Sequence, residues 1–250
     1  MCCITLMTQL QCLRMIKISH VSKKYGKDII VDDLSLMIKE GSVFGFLGPN
    51  GAGKTTTLKI ILGLIKDYDG LITIEDDEAI APKIKQKIGF MPEDPYFYDH
   101  LTGLEFLKFC GQLFDYSRNK INGYYLNILD QVGLYDSRNL MIRNYSKGMK
   151  QRLGLAQSLV NDPDYIFLDE PLDGLDPIGR ADVKNIIKDL RKRKKTIFLS
   201  SHILSDIEEL CDEIGIIDNG KLLYSGSVKK FCRDKKLEDR FVEIIKSNQE

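Results

Sequence analysis

A glycine-rich segment directly after a short apolar run constrains this chain more than any other feature. Residues 48–55 read GPNGAGKT, which fits the pattern G-x-x-x-x-G-K-[ST]. The apolar run 43–47 predicts a buried strand, and residues 55–64 predict a helix with one apolar face. A strand, a glycine-rich turn and a helix in this order are the setting in which such a segment binds phosphate.

The residue types in this loop suit a nucleoside triphosphate with magnesium. Glycines let the backbone N–H groups point inward, and the N-terminus of the following helix favours an anion. Lys54 can reach the β- and γ-phosphates, and the Thr55 hydroxyl can ligate Mg²⁺. The motif by itself indicates a P-loop nucleotide binder. The predicted binding residues in the loop are Gly48, Asn50, Gly51, Gly53, Lys54, Thr55 and Thr56.

A second acidic segment follows at residues 165–170, which read YIFLDE. A buried parallel strand would bring Asp169 to the carboxyl edge of the sheet, beside the phosphate loop. There Asp169 can hold Mg²⁺, directly or through water. Glu170 can orient or deprotonate the attacking water as a general base. Pro171 fits a chain that leaves the strand.

Strand-like and helix-like segments alternate on both sides of a helical stretch, which predicts an α/β core with a parallel sheet. Alternating apolar residues predict exposed antiparallel strands at 16–21 and 34–38. Further strands are predicted at 71–74, 165–168, 196–200 and 214–217. Helices are predicted at 104–114, 124–132, 149–159 and 178–192. The acidic residues 75–78 are interpreted as a solvated turn.

Charge and composition narrow the function classes. Lysine plus arginine and aspartate plus glutamate both number 36, so no global field attracts nucleic acid, and no nucleic-acid partner is expected. The basic run 191–195 is interpreted as a helix C-terminus. No run approaches the roughly 20 apolar residues that span a bilayer. The six cysteines lack zinc-site spacing and are expected to be reduced. Residues 1–14 are interpreted as an extension or as a mis-called upstream start.

Residues 15–228 resemble the nucleotide-binding domains of ATP-binding cassette (ABC) transporters. Several further segments of this chain occur in the order in which that family has its motifs. Tyr25 lies where the family places an aromatic ring that stacks on adenine. Glu93, in the segment MPED, lies in the Q-loop. Residues 145–149, YSKGM, lie at the family signature. Residues 174–176, GLD, resemble the D-loop, and residues 200–202, SSH, resemble the switch-histidine loop.

The resemblance implies a P-loop NTPase core with a parallel sheet, an N-terminal antiparallel β subdomain and a helical insertion at about 94–160. Residues 229–250 are expected to form a short charged tail. The implied ligands are ATP and Mg²⁺. Two chains pack head to tail in this family, so Ser146 and Gly148 would cover the γ-phosphate that the other chain's Lys54 binds. The implied catalytic residues are Glu170, His202 and Glu93. The implied metal ligands are Thr55, Asp169 and Glu93.

Two departures from the family pattern bear on activity. Glu93 replaces the Q-loop glutamine and adds a negative charge near the phosphates. The usual LSGGQ signature is YSKGM, in which Lys147 either favours the phosphate or points to solvent. Two single residues also have structural alternatives. Tyr25 either stacks on adenine or packs at a strand edge. His202 either contacts the γ-phosphate or is structural.

The expected function is that of an ATPase subunit at the cytoplasmic face of the membrane. It would drive a separate transmembrane permease and pair with a second copy or a related subunit. The aromatic residues in 96–114 are either subdomain core or part of a groove for that permease. Glu93, the SKGM signature and the segment 98–103 resemble bacterial exporter subunits for drugs, peptide antibiotics or sodium. A soluble translation or repair ATPase is the main alternative. An unrelated P-loop kinase would leave the signature unexplained.

Overall fold

The computed structural model describes residues 15–114 and 121–249, which divide into two compact units. The first unit comprises residues 15–85 and 202–249 of the described chain, and the second comprises residues 86–114 and 121–201. The expectation for residues 1–14 lies outside the described residues. So do three of the six cysteines, whereas Cys110, Cys211 and Cys232 lie within the described residues and are buried.

The first unit contains seven strands and five helices among its described residues. The strands are β1 (Met15–Tyr25), β2 (Asp28–Lys39), β3 (Val43–Leu47), β4 (Asp69–Ile74), β5 (Asp77–Glu78), β9 (Glu213–Asp218) and β10 (Lys221–Ser227). The helices are α1 (Lys54–Ile61), α2 (Pro82–Lys85), α7 (Leu204–Leu210), α8 (Val228–Cys232) and α9 (Leu237–Gln249).

An antiparallel sheet forms the N-terminal part of the first unit, in the strand order β2-β1-β4-β5. Ile16 pairs with Ile38, and Ile18 pairs with Leu36. All four side chains are buried, because alternate residues of a strand face the same side of the sheet. The predicted antiparallel β subdomain is therefore confirmed, with strands longer than 16–21 and 34–38. The predicted acidic turn at 75–78 ends in the short strand β5.

A second set of strands in the first unit carries the phosphate loop. Strand β3 is parallel to β9, with Gly45 opposite Ile214, and β10 is antiparallel to β9. Every residue of β3 is buried, as expected of a parallel strand covered on both faces. The strands predicted at 43–47 and 214–217 are confirmed, whereas β10 was not predicted.

The second unit contains β6 (Ile88–Met91), β7 (Tyr165–Asp169), β8 (Thr196–Ser201), α3 (Gly103–Gly111), α4 (Ile121–Gln131), α5 (Lys147–Ser158) and α6 (Pro177–Lys192). Its three strands are parallel, with β7 hydrogen-bonded to β6 and to β8. All residues of β7 and β8 are buried. A parallel sheet is thus present, and the predicted strands 165–168 and 196–200 are confirmed.

The predicted helical stretch within 94–160 is also present. Helix α3 begins at a capping box in which Thr102 and Glu105 satisfy each other's backbone N–H groups. Helices α4 and α5 follow, with a 3-10 turn at Ile142–Asn144 between them. The basic run 191–195 lies at the C-terminus of α6, as interpreted, where the helix dipole favours cations.

The C-terminal residues 229–249 form helices where the composition predicted only a charged tail. Arg240 in α9 pairs with Glu243 at 2.9 Å. Near the end of α9, Asn248 Nδ2 donates a hydrogen bond to Asp218 Oδ2 at 3.0 Å. None of the helices in the described part of the chain is both long enough and apolar enough to cross a membrane.

Candidate functional site

The phosphate loop in the first unit closes around the ammonium group of Lys54, the first residue of α1. Lys54 Nζ donates to the carbonyl oxygens of Gly48 at 2.8 Å and Pro49 at 3.2 Å. The lysine is 7% exposed. Residues Lys54 and Gly48 thus hold each other in place, and the loop presents a buried cation at the start of a helix.

Two glycines in the loop are required by close backbone approaches. A Cβ atom at Gly48 would lie 2.3 Å from the carbonyl oxygen of Ile217, and one at Gly53 would lie 2.5 Å from that of Ile30. Gly53 also has a φ of +105°, which side-chain-bearing residues rarely adopt. Larger residues at either position would displace the loop.

The remaining predicted residues of the phosphate loop are less buried than Lys54. Asn50 and Gly51 are exposed, while Thr55 and Thr56 are half-buried in the first turn of α1. That turn contains no acidic side chain, so the unsatisfied N–H groups of the helix N-terminus favour an anion. The loop therefore combines a cation, a helix N-terminus and hydroxyl groups, which is a donor set for phosphate.

The turn after β9 supports the phosphate loop from the other side. The N–H of Gly220 donates to the carbonyl oxygen of Ala52 at 3.1 Å, and the N–H of Asp32 donates to that of Gly220 at 2.9 Å. The loop is therefore held by backbone hydrogen bonds as well as by the Lys54 side chain.

Tyr25 lies at the end of β1 in the same unit, where the hairpin to β2 turns. Its side chain is 51% exposed, and the ammonium of Lys23 lies 4.8 Å from the ring centroid. An exposed ring at a hairpin tip is available for stacking, as the prediction for Tyr25 requires.

The acidic pair lies at the end of β7 in the second unit. Asp169 is 2% exposed, and Glu170 is 7% exposed. Asp169 lies opposite Ser200 of β8 in the strand register. The Ser200 hydroxyl donates a hydrogen bond to Asp169 Oδ1. The parallel register thus supplies a buried carboxylate with the polar partner that it needs.

Glu170 has a strained backbone that neighbouring residues hold in place. Its φ is +48°, a left-handed conformation that costs a non-glycine residue about 1–3 kcal/mol. Its N–H donates to Ser200, at 3.2 Å to the carbonyl oxygen and 3.1 Å to the hydroxyl. Gln151 of α5 donates to the carbonyl oxygens of Glu170 and Pro171, both at 3.4 Å. Strain of this kind concentrates at functional sites.

Ser200 and Gln151 were not assigned roles by the sequence prediction. Gln151 lies in a helix and Ser200 ends an apolar strand, so neither pattern singles them out. The signal that identifies Ser200 is the pairing of β7 with β8, because that pairing alone places its hydroxyl beside Asp169.

The signature residues begin helix α5 in the second unit. Ser146 is the N-cap, and its hydroxyl accepts a hydrogen bond from the N–H of Met149 at 3.2 Å. This confirms the predicted cap. Gly148 is half-buried, and a Cβ there would lie 3.5 Å from Leu175 Cδ2. Residues 146–149 of the signature and residues 174–176 line one cavity of about 450 Å³.

Lys147 extends across the residues that resemble the D-loop. Its Nζ lies where a Cβ atom at Gly174 would be only 1.9 Å away. The ammonium of Lys147 therefore packs against the Gly174 backbone.

Two further predicted residues, Glu93 and His202, are also exposed. Glu93 lies in a bend after β6 in the second unit, and His202 lies in a bend after β8 in the first. The predicted metal ligands Thr55, Asp169 and Glu93 offer hydroxyl and carboxylate oxygens, which are the donors that Mg²⁺ prefers. The donor chemistry therefore fits Mg²⁺.

Residues 31–173 match a family model described as ABC transporter. They cover more than half of the chain and include the phosphate loop, the signature and the acidic pair. The chain belongs to the ATP-binding subunits of the ABC transporter family.

Three curated relatives illustrate the range of this ABC family. An uncharacterized ABC transporter ATP-binding protein of Synechocystis is 48% identical over 197 residues, 78% of this chain and 56% of the relative. The bacitracin transport ATP-binding protein BcrA of Bacillus licheniformis is 43% identical over 212 residues, 83% of this chain and 68% of the relative. A fluoroquinolones export ATP-binding protein of Mycobacterium tuberculosis is 38% identical over 212 residues, 83% of this chain and 69% of the relative.

The chain spans little more than half of the length of the Synechocystis relative. Among solved structures, an ATP-binding subunit of an ABC transporter matches 92% of this chain and 99% of its own. The TM-score is 0.84, and the sequences are 26% identical. This ABC subunit therefore shares both fold and sequence segments with its relatives.

Proposed function

We propose that this ABC subunit binds and hydrolyses ATP and thereby drives a separate transmembrane permease. The observation that carries the proposal is the buried ammonium of Lys54, enclosed by the loop carbonyls of Gly48 and Pro49 at the N-terminus of α1. A lysine at the start of a helix places its positive charge where the N-terminus of that helix also favours an anion. The phosphates of ATP suit this combination.

The proposed reaction is attack of water on the γ-phosphorus. The water oxygen forms a bond to phosphorus while the bond from phosphorus to the bridging oxygen breaks, which yields ADP and phosphate. Glu170 orients the water and accepts its proton, and Lys54 stabilises the charge on the phosphate oxygens. His202 contacts the γ-phosphate, and Tyr25 stacks on the adenine.

Mg²⁺ prefers oxygen ligands, and the proposed site offers the hydroxyl of Thr55 and the carboxylates of Asp169 and Glu93. Thr55 and Asp169 would hold the ion, and Glu93 would orient it or its water. When bound, Mg²⁺ supplies positive charge that neutralises the β- and γ-phosphate oxygens. Ser200 supports this role of Asp169 because its hydrogen bond to Oδ1 fixes the carboxylate.

The signature residues are proposed to act on the nucleotide of a second subunit. Ser146 caps α5, and Gly148 leaves the first turn of that helix open to an anion. ATP would then join two subunits, each supplying Ser146 and Gly148 to the γ-phosphate held by the other's Lys54. The second subunit is a second copy or a related chain.

The subunit would lie at the cytoplasmic face of the membrane, where it would drive transport by the permease. A relative named for fluoroquinolones export supports export as the direction of transport. The test is affinity purification from native membranes with mass spectrometry. A stoichiometric multi-span membrane protein is expected. Ribosomes or repair proteins instead would favour a non-transport ATPase.

Nucleotide binding is tested on the purified chain with Lys54→Ala. Loss of the loop cation should weaken Mg-ATP binding by more than tenfold, as roughly expected for a charge-assisted contact to phosphate. Lys59→Ala is the matched control, because Lys59 is an exposed lysine of the same helix. Equal affinities of the wild type and the Lys54 variant would contradict the proposed loop.

A further inference from the structure

Lys23 and Tyr25 lie two residues apart near the end of β1. The Lys23 ammonium is 4.8 Å from the centroid of the Tyr25 ring, within the range of a cation–π interaction. The exposed part of Tyr25 is about half of its side chain. One face of the ring thus meets a cation, and the other face is available to a planar ligand.

Lys23 is unusual among lysines in being almost fully covered. Its side chain is 5% exposed, although lysine is almost never fully buried unless it is paired. Its partner is Asp67, whose Oδ2 lies 2.9 Å from Nζ and whose carbonyl oxygen also accepts a hydrogen bond from it. The Asp67 side chain is itself 99% exposed. Two contacts to one residue fix the ammonium beside the ring.

The Asp67 anchor persists at neutral pH. The hydrogen bond and the charge of Lys23 lower the pKa of Asp67 below its ordinary value. Its carboxylate is therefore ionised throughout the physiological range, and the ion pair is lost only in acid. Asp67 thus anchors the Lys23 side chain at neutral pH.

We propose that Lys23 is a positioning residue for the nucleobase, acting through Tyr25. Its ammonium holds the ring and draws π-electron density toward the covered face, so the open face better stacks on an electron-rich aromatic base. This inference rests on the proposed ATP site, which it deepens. Asp67 contributes by anchoring the ammonium and needs no contact with the ligand.

The test measures the base contribution to binding, defined as the ratio of the dissociation constants of Mg-tripolyphosphate and Mg-ATP. Lys23→Met removes the charge and keeps the apolar stem, and Lys23→Arg restores the charge. The Met variant should lower the ratio by about threefold and leave tripolyphosphate binding unchanged, and the Arg variant should recover it. Lys83→Met is the control, because Lys83 pairs with Asp77 at 2.6 Å in the same unit.

A double-mutant cycle of Lys23→Met and Tyr25→Leu tests whether Lys23 acts through the Tyr25 ring. If Lys23 acts through Tyr25, then Lys23→Met should cause no further loss when the ring is absent. Asp67→Asn should reproduce part of the effect of Lys23→Met in the presence of the ring and none in its absence.

Five outcomes would overturn the inference. Equal losses of ATP and tripolyphosphate binding in Lys23→Met would assign Lys23 a purely structural role, and unchanged affinities for both ligands would assign it none. Additive losses in the double mutant would exclude action through Tyr25. Wild-type protein that binds both ligands equally would show that the base is not recognised while the phosphate site stands. Wild-type protein that binds neither would refute the proposed function, and this inference with it.

Discussion

Ser200 donates its hydroxyl hydrogen bond to the carboxylate of Asp169, while the same hydroxyl accepts a hydrogen bond from the N–H of Glu170 at 3.1 Å. One fully buried side chain thus contacts both members of the acidic pair. It fixes the orientation of the Asp169 carboxylate and helps to hold the left-handed backbone of Glu170. The two acidic residues are therefore positioned jointly.

Ser200→Ala should lower the maximal rate of ATP hydrolysis by about ten- to hundredfold, the usual effect of removing an outer partner of a metal ligand. ATP affinity should change little, because the phosphate loop is untouched. Steady-state kinetics, together with direct ATP binding, separate the two effects.

The matched control for this variant is Ser158→Ala. Ser158 is also buried, and its hydroxyl donates to the Leu155 carbonyl oxygen at 2.7 Å within α5. A similar loss of rate in both variants would mean that any buried serine of the unit matters equally. That result would contradict the special position of Ser200.

The packing of α5 on β6 predicts opposite effects of two glycine substitutions. A Cβ at Gly89 would lie 1.9 Å from the Ser158 carbonyl oxygen, whereas nothing in the described chain lies within 4 Å of one at Gly123 in α4. Gly89→Ala should lower the free energy of unfolding by about 3 kcal/mol. Gly123→Ala should raise it by up to about 1 kcal/mol through helix propensity.

Thermal unfolding of both glycine variants checks this contrast. For a chain of this size, the Gly89 variant should unfold about 6–12 °C below the wild type. If Gly89→Ala leaves the unfolding temperature unchanged, β6 and α5 do not pack as closely as the structure shows.

Cys110 in α3 should resist alkylation in the native protein. Burial raises the pKa of its thiol from 9.0 to about 11, so about one thiol in a thousand is ionised at pH 8. Peptide mass spectrometry after iodoacetamide treatment should find Cys110 modified only after denaturation. Modification of the native protein at the rate of a free thiol would contradict its burial.

The same thiol gives a direction to the pH dependence of stability. The folded chain keeps Cys110 neutral up to a higher pH than the unfolded chain does. The contribution is therefore complete below pH 9 and decreases as pH rises from 9 toward 11, because the unfolded state releases the proton first.

Strands that are apolar throughout were predictable from the sequence. The prediction for β3 matches the structure because Val43–Leu47 is an unbroken apolar run that ends at a glycine. Strand β6 was missed because four residues carry little periodicity, and its pairing with β7 decides its structure. Helix α9 was missed although Leu237, Phe241 and Ile244 have helical spacing, because its many charged residues were interpreted as a tail.

The candidate site also contains some residues that the sequence predicted and others that it did not. Loop residues such as Lys54 were predictable because phosphate binding needs a fixed local pattern. Lys23 and Ser200 were not, since a lysine in an alternating strand looks solvent-facing and a serine after an apolar run looks structural. Their proposed roles depend on partners 44 and 31 residues away in sequence, which only the fold brings into contact.

The most direct test of the central claim is the rate of phosphate release from Mg-ATP by wild-type protein and Glu170→Gln. The amide keeps the shape of Glu170 but cannot accept a proton. We expect hydrolysis to fall by about a hundredfold or more while ATP binding persists and the variant accumulates as an ATP-bound dimer. Hydrolysis by Glu170→Gln at the wild-type rate would contradict the assignment of Glu170 as the general base.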